Sequence, residues 1–194
     1  MKLFIIAPHF PPSALPPAQR VRLMMPHLKK LGVEATVFTT SPKNREEKED
    51  AWMLELAGND YKLFEVGSLN QKWSRKFGFG DLGLRMLPFL FFKLCQQIKS
   101  KRPDFILYLV PPWYILLLAP ILKKFTGVPY AIDFIDPWVA GGELSGDASF
   151  KKKMSQWIAR KLEGFVTKNA SLIYSVSDGI NEQLIDRHPE LKCK

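Results

Sequence analysis

Apolar residues recur along this chain in two alternating patterns. KLFIIAP (2–8), DFILYLV (104–110) and GVPYAIDF (127–134) are apolar runs with almost no polar interruption. That is the signature of strands buried on both faces. VEATVFTT (33–40), YKLFEVG (61–67) and SLIYSVS (171–177) read as further strands. Helical spacing fills the gaps. Val21, Met24, Met25 and Leu28 predict a helix over 18–31, with Gly32 as its stop and Pro26 placed to kink or shorten it. Residues 82–101 form an apolar helix with a basic end. Residues 149–170 are amphipathic, with Met154, Trp157, Ile158, Leu162 and Phe165 on one side. DGINEQLIDRHPE (178–190) predicts a last helix with Ser177 at its cap position. Residues 41–60 are a solvated loop or surface helix, and 68–81, with Gly78 and Gly80, a mobile loop.

Strand and helix thus alternate throughout. The fold class is α/β: a Rossmann-like, doubly wound parallel sheet in one domain over 1–188, with 189–194 as a tail or the start of a linker. Residues 105–122 carry no charge and imitate a membrane span. Pro111 and Pro112 in their middle suit instead a strand end followed by the first turn of a helix.

Composition narrows the classes of function. The 194 residues are 46% hydrophobic, enough for one ordinary core, and carry a net charge of +9. Nucleic acid, an anionic membrane surface and phosphorylated substrates all suit that charge. The basic residues are spread along helices, and the aromatics lie in apolar runs rather than among charges, so nucleic acid is set aside. Cys95 and Cys193 stand alone, which supports neither a disulfide framework nor a zinc site and suits a reducing compartment. The first apolar run is too short for a signal peptide and leads into His9 and prolines.

In a doubly wound sheet, ligands bind beyond the carboxyl ends of the strands. There the strand YAIDF runs into Asp133, Asp136, Pro137, Trp138, Gly141 and Gly142. Buried carboxylates without partners are costly, so this cluster reads as a site built where the ladder stops. Other strand ends supply His9, Ser13 and Arg20, then Pro111, Pro112 and Trp113, then Ser175, Ser177 and Asp178. The helix beginning near Ala18 aims free N–H groups at the first loop, a place for an anion. No G-x-G-x-x-G, P-loop, G-x-S-x-G or Cys/His cluster is present, so no cofactor is expected. The Asp133/Asp136 pair alone is weak evidence for a metal, and none is expected.

Four segments, in order, resemble the N-terminal part of family-4 glycosyltransferases of the GT-B fold. They are HFPPSALPPAQRVRLMMPHLKKLGVEATVFTT, RPDFILYLVPP, YAIDFIDPW and ASLIYSVSDGINEQLIDRHPE. The resemblance implies the acceptor-binding half of a retaining enzyme. Such an enzyme moves a sugar from a nucleotide-sugar to a glycan or lipid-linked acceptor, in surface polysaccharide or glycolipid biosynthesis. It implies that a second, nucleotide-sugar-binding domain faces this one across a cleft, and that this half alone is inactive. Asp136 and Asp133 would orient the acceptor hydroxyl or the sugar. His9, Ser13, Arg20, Pro111, Pro112, Trp138, Ser177 and Asp178 would bind substrate. Two departures weaken donor-phosphate contact: the first loop, SALPPA, has no glycine, and Ile135 stands where the family has arginine. The alternative reading is a non-catalytic Rossmann-like binding module at a membrane surface. The expected location is cytoplasmic, peripheral on the inner face of the membrane. The contact would be the wide apolar sector of 82–102 with Trp73, Phe77 and Phe79 beside Lys72, Arg75 and Lys76.

Overall fold

A computed structural model of the chain describes residues 1–76, 78, 80–139 and 150–192, with side chains from 153 onward in the last stretch. Phe77, Phe79, Gly141, Gly142 and Cys193 lie outside the described residues. Six strands appear in chain order: β1 (Lys2–Ile6), β2 (Glu34–Thr40), β3 (Tyr61–Val66), β4 (Phe105–Val110), β5 (Tyr130–Phe134) and β6 (Leu172–Ser175). All pairings are parallel, and the order across the sheet is β3-β2-β1-β4-β5-β6. The helices are α1 (Pro16–Lys30), α2 (Trp52–Ala57), α3 (Gln71–Lys76), α4 (Leu82–Ser100), α5 (Leu118–Thr126), α6 (Phe150–Lys168) and α7 (Asp178–Arg187).

Both faces of the sheet are covered at its centre, which is why β1, β4 and β5 lack polar alternation. Leu3, Ile5, Val37, Leu107, Leu109 and Ala131 point to one side, where Val21 and Met25 of α1 and Ala57 of α2 pack on them. Phe4, Ile6, Phe38, Tyr108, Ile132 and Phe134 point to the other, under Leu90 and Leu94 of α4, Leu122 of α5 and Val166 of α6. Each such large apolar side chain, fully buried, contributes about 1.5–3 kcal/mol.

Local signals set the helix ends. Asp81 caps α4 by accepting from the Leu84 N–H at 3.0 Å. Gly32, at φ 67°, supplies the left-handed residue that stops α1. Pro26 lies inside α1, which continues through it to Lys30. Val21 and Met25, both buried, hold that stretch against the sheet, and packing there outweighs the lost backbone bond.

Residues 105–122 divide as the proline pair implies, into β4 and a helical segment that opens with a 3-10 turn (Trp113–Leu117) before α5, all within the domain. No helix among the described residues is long and apolar enough to cross a membrane. Two other sequence expectations need correction. The supposed loop 68–81 contains α3, whose buried Ser74 anchors it by donating to the Asn70 carbonyl at 2.9 Å. The apolar side named for α6 is largely turned outward. Met154, Trp157, Ile158 and Phe165 are exposed, while Ala159, Glu163, Val166 and Thr167 face inward and only Leu162 of the named set packs on the core.

Candidate functional site

The carboxyl edge of the sheet carries the loops that follow β1, β4, β5 and β6. The strand order switches direction at β1 and β4, so the loops leaving those two strands diverge. After β1, His9 Nδ1 lies 2.8 Å from Glu47 Oε1, with both side chains nearly buried. Burial raises the Glu47 carboxyl, but the hydrogen bond and charge of His9 and nearby N–H groups outweigh it and bring it to about 2. Ser13 is fully buried and accepts from the Leu15 N–H at 3.4 Å, so its hydroxyl braces the loop.

After β4, Pro112 is buried and Pro111 half-buried. The Val110–Pro111 and Pro111–Pro112 bonds are both cis, as is Pro11–Pro12 in the first loop. Trp113 follows, and its indole N–H donates to the Asp136 carbonyl at 3.3 Å. That bond ties the turn after β4 to the turn after β5. Trp138 is buried at the same place, edge-on to Tyr114 with ring centres 5.5 Å apart. Asp136 itself is exposed. A carboxylate free in solvent thus sits on a turn braced by two tryptophans.

Asp133 has different surroundings. Side chains alternate along β5, so Asp133 points with Ala131 and Ile135 to the α1 side of the sheet. Its side chain is 2% exposed, and Arg20 Nε of α1 donates to its Oδ2. The other oxygen, Oδ1, is buried without a partner. Burial pushes the Asp133 carboxyl up, and the Arg20 hydrogen bond and charge pull it back only in part. Arg20 also lies 5.7 Å from the centre of the Tyr174 ring. Burial and the Asp133 charge push the Tyr174 hydroxyl up to about 12, against the pull of Arg20. These three residues form the floor of an open groove of about 600 Å³ between α1 and the β5–β6 edge, walled by Leu23, Met24 and Val176.

The two aspartates at the end of β5 therefore have separate surroundings. Asp136 stands on the rim with Trp113 and Trp138, and Asp133 and Arg20 lie on the α1 face. Ser177 and Asp178 are exposed after β6; Ser177 occupies the cap position of α7 but its side chain makes no capping bond. Sequence reasoning missed Glu47 and Asp81. Asp81 is pushed up by burial, offset by the N–H groups of Leu84 and Gly83 and by the charges of Arg85 and His9. Its position before a long apolar helix is a cap signal that could have placed it. Glu47, inside KNREEKED, had no such signal. Among the described residues, no cluster of three or more His, Cys, Asp or Glu side chains is placed to hold a metal ion.

A family model described as a glycosyl transferase 4-like domain matches residues 17–190. A search of curated proteins finds no match in sequence. Among solved structures, sucrose-phosphate synthase from Thermosynechococcus elongatus is similar at a TM-score of 0.64 and 12% identity, over 97% of this chain and 45% of that one. UDP-GlcNAc 2-epimerase from Methanocaldococcus jannaschii is similar at 0.55 and 13%, over 96% and 42%. The glycosyltransferase SsfS6 of Streptomyces sp. SF2575 is similar at 0.50 and 14%, over 91% and 50%. At these identities the likeness concerns the fold, and the chain spans half the length or less of each.

Proposed function

This chain belongs to the glycosyl transferase 4-like domain family, and from that premise we propose that it is the acceptor-binding half of a retaining glycosyltransferase. The donor is a nucleotide-sugar, held by a second domain facing the carboxyl edge of this sheet. The acceptor is a glycan or a lipid-linked sugar of a surface polysaccharide or glycolipid. The half-length match to the solved structures supports the need for a second domain.

The observation that carries this reading is the exposed Asp136 on its braced turn. Sugar transfer passes through a transition state with positive charge at the anomeric carbon. A carboxylate preorganised at that edge lowers the energy of such charge and orients an incoming hydroxyl. Trp113 and Trp138 fix the turn, so little reorganisation is needed when the acceptor arrives. His9, held by Glu47, supplies a nitrogen at the neighbouring loop. Asp133 serves the site from behind: with Arg20 it ties β5 to α1 and so positions the turn. The diphosphate leaving group is held mainly by the second domain, because the first loop lacks glycine and Ile135 supplies no cation.

The test is Asp136→Asn in the protein assayed together with its nucleotide-sugar-binding domain. The expected result is a fall in kcat of about 100-fold or more, with stability unchanged within about 0.5 kcal/mol, as for an exposed position. Full activity in this variant would reduce Asp136 to a turn residue and remove the catalytic assignment.

A further inference from the structure

The outer surface of α5 and α6 carries a set of large apolar side chains that no described residue covers. On α5, Ile121 is 38% and Phe125 76% exposed; on α6, Met154, Trp157, Ile158 and Phe165 are between 38% and 60% exposed. At 3.6 residues per turn the four α6 positions fall in an arc of about 100°, opposite the inward Ala159 and Val166. The two helices pack side by side, and between their C-terminal ends lies an open groove of about 780 Å³. Phe125, Ile121 and Phe165 wall it, and Lys123 and Lys124 stand at its rim. Single exposed apolar residues are ordinary, but a contiguous set of this size marks a contact surface.

Charge selects the partner. The α5 sequence carries two Lys residues and the α6 sequence six Lys or Arg residues. Their one acid is Glu163, which is fully buried and bound by Arg187 at 2.8 and 3.0 Å. No carboxylate of these two helices therefore reaches their outer surface. Exposed cations are interleaved with the aromatics: Lys161 lies 6.0 Å from the Trp157 ring centre, and Lys124 stands next to Phe125 in sequence. Interfaces between proteins are depleted in lysine at their centres. A lipid headgroup layer accepts both kinds of side chain at once: aromatic rings settle at the boundary with the acyl chains, and lysines reach the phosphates.

We propose that the α5–α6 face docks flat on an anionic lipid bilayer. Phe125, Trp157 and Phe165 enter the headgroup–acyl boundary, and Lys124, Arg160 and Lys161 meet lipid phosphates. The placement differs from the one read in the sequence. There α4 carried the contact together with Trp73, Phe77 and Phe79 and the cations of 72–76. Met86, Leu90 and Leu94 of α4 are buried, which leaves Phe89 and Phe92 as its exposed large apolar side chains, while Trp73 of α3 is exposed with Lys76 5.9 Å from its ring centre. The new face also relates to the carboxyl edge. α6 follows the Asp136 turn in the chain, so it runs back from that edge, and a protein lying on α5 and α6 holds the edge beside the lipid surface rather than against it.

Co-sedimentation of the protein with phosphatidylcholine vesicles, with and without an equal share of phosphatidylglycerol, tests the proposal. Binding to the anionic vesicles is expected to exceed binding to neutral ones at least about tenfold, and to fall at least about tenfold near 1 M salt, where charges are screened within about 3 Å. Lys124→Glu/Arg160→Glu/Lys161→Glu and, separately, Phe125→Ser/Trp157→Ser should each lose at least about tenfold. All five positions are exposed, and unchanged thermal melting confirms that the fold survives. Phe89→Ser/Phe92→Ser on α4 should bind as the parent does. Absence of binding, binding indifferent to lipid charge and salt, or loss in the α4 variant with retention in both α5–α6 variants overturns the proposal. So does a concentration-dependent dimer that Phe125→Ser/Trp157→Ser abolishes while vesicle binding is absent, which would make the face a contact between two copies.

Discussion

Replacing Arg20 by methionine isolates what the buried Asp133 carboxylate costs. In the parent protein, Asp133 has one oxygen on Arg20 Nε and the other without a partner, in a side chain 2% exposed. Removing one member of a buried pair costs about 3–5 kcal/mol, because the remaining charge stays out of water. Arg20 is one-third exposed, so part of its own charge is already screened, and the lower end, about 3 kcal/mol, is expected. For a domain of this length that is a fall in Tm of about 6–12 °C. The sign with pH follows from the direction of the shift. Burial already holds the Asp133 carboxyl above its usual 3.8, and losing Arg20 raises it further. A raised carboxyl destabilises the fold at neutral pH, and the cost disappears as pH falls and the group takes up its proton in both states. Urea unfolding of Arg20→Met at neutral and mildly acidic pH, at equal m-value, should therefore show a loss that shrinks toward acid. Arg20→Met/Asp133→Leu should return to within about 1 kcal/mol of the parent, since an apolar pair suits the same space. A loss under about 1 kcal/mol, a loss that ignores pH, or a double variant as unstable as the single one would show that α1 is held by its apolar contacts alone.

The Glu47 carboxyl, drawn from 4.5 to about 2 by His9, contributes stability that is fully present above pH 4.5 and is lost as pH falls through about 2; comparing the parent with Glu47→Gln by thermal melting across that window should show the difference between them narrowing toward acid. Gly164→Ala should destabilise by about 1–3 kcal/mol in urea titration, because an added Cβ would stand 2.9 Å from Cε1 of His188, whose ring is held by Glu163; parent-like stability would mean the His188 ring yields freely.

β1, β4 and β5 were legible because strands buried on both sides are written as unbroken apolar runs; β2, β3 and β6 were also found in their places, although polar residues interrupt them and β3 and β6 form the sheet's two edges. The proline pair at 111–112 was enough to divide 105–122 into strand, turn and helix. What the pattern could not supply was direction within α6. Periodicity assigns the largest apolar residues inward, yet the space beneath that helix is taken by small residues and by Glu163, which Arg187 and His188 satisfy from 24 and 25 residues away. The partner of Asp133 was equally hidden, since Arg20 lies 113 residues earlier in the chain. A local reading put the two aspartates together; only the alternation of β5, combined with the position of α1, separates them. Glu47 shows the same limit in a charged stretch, where one buried carboxylate looks like its solvated neighbours.

The strand order also sets a timetable for assembly. β1, at the start of the chain, occupies the middle of the sheet between β2 and β4. Its first side can close early, through contacts such as Met1 to Gly32, 31 residues apart. Its second side waits for β4, as in the bond from Lys2 to Asp104 across 102 residues. The longer closure costs about 1 kcal/mol more in chain entropy, a small thermodynamic difference. Its kinetic weight is larger, because distant pairings slow folding and leave strand edges uncovered meanwhile. On a chain emerging from the ribosome, β2 would keep an open edge until β3 has appeared and β1 would keep its own until residue 110 has appeared, and that interval is when this domain is most exposed to wrong partners.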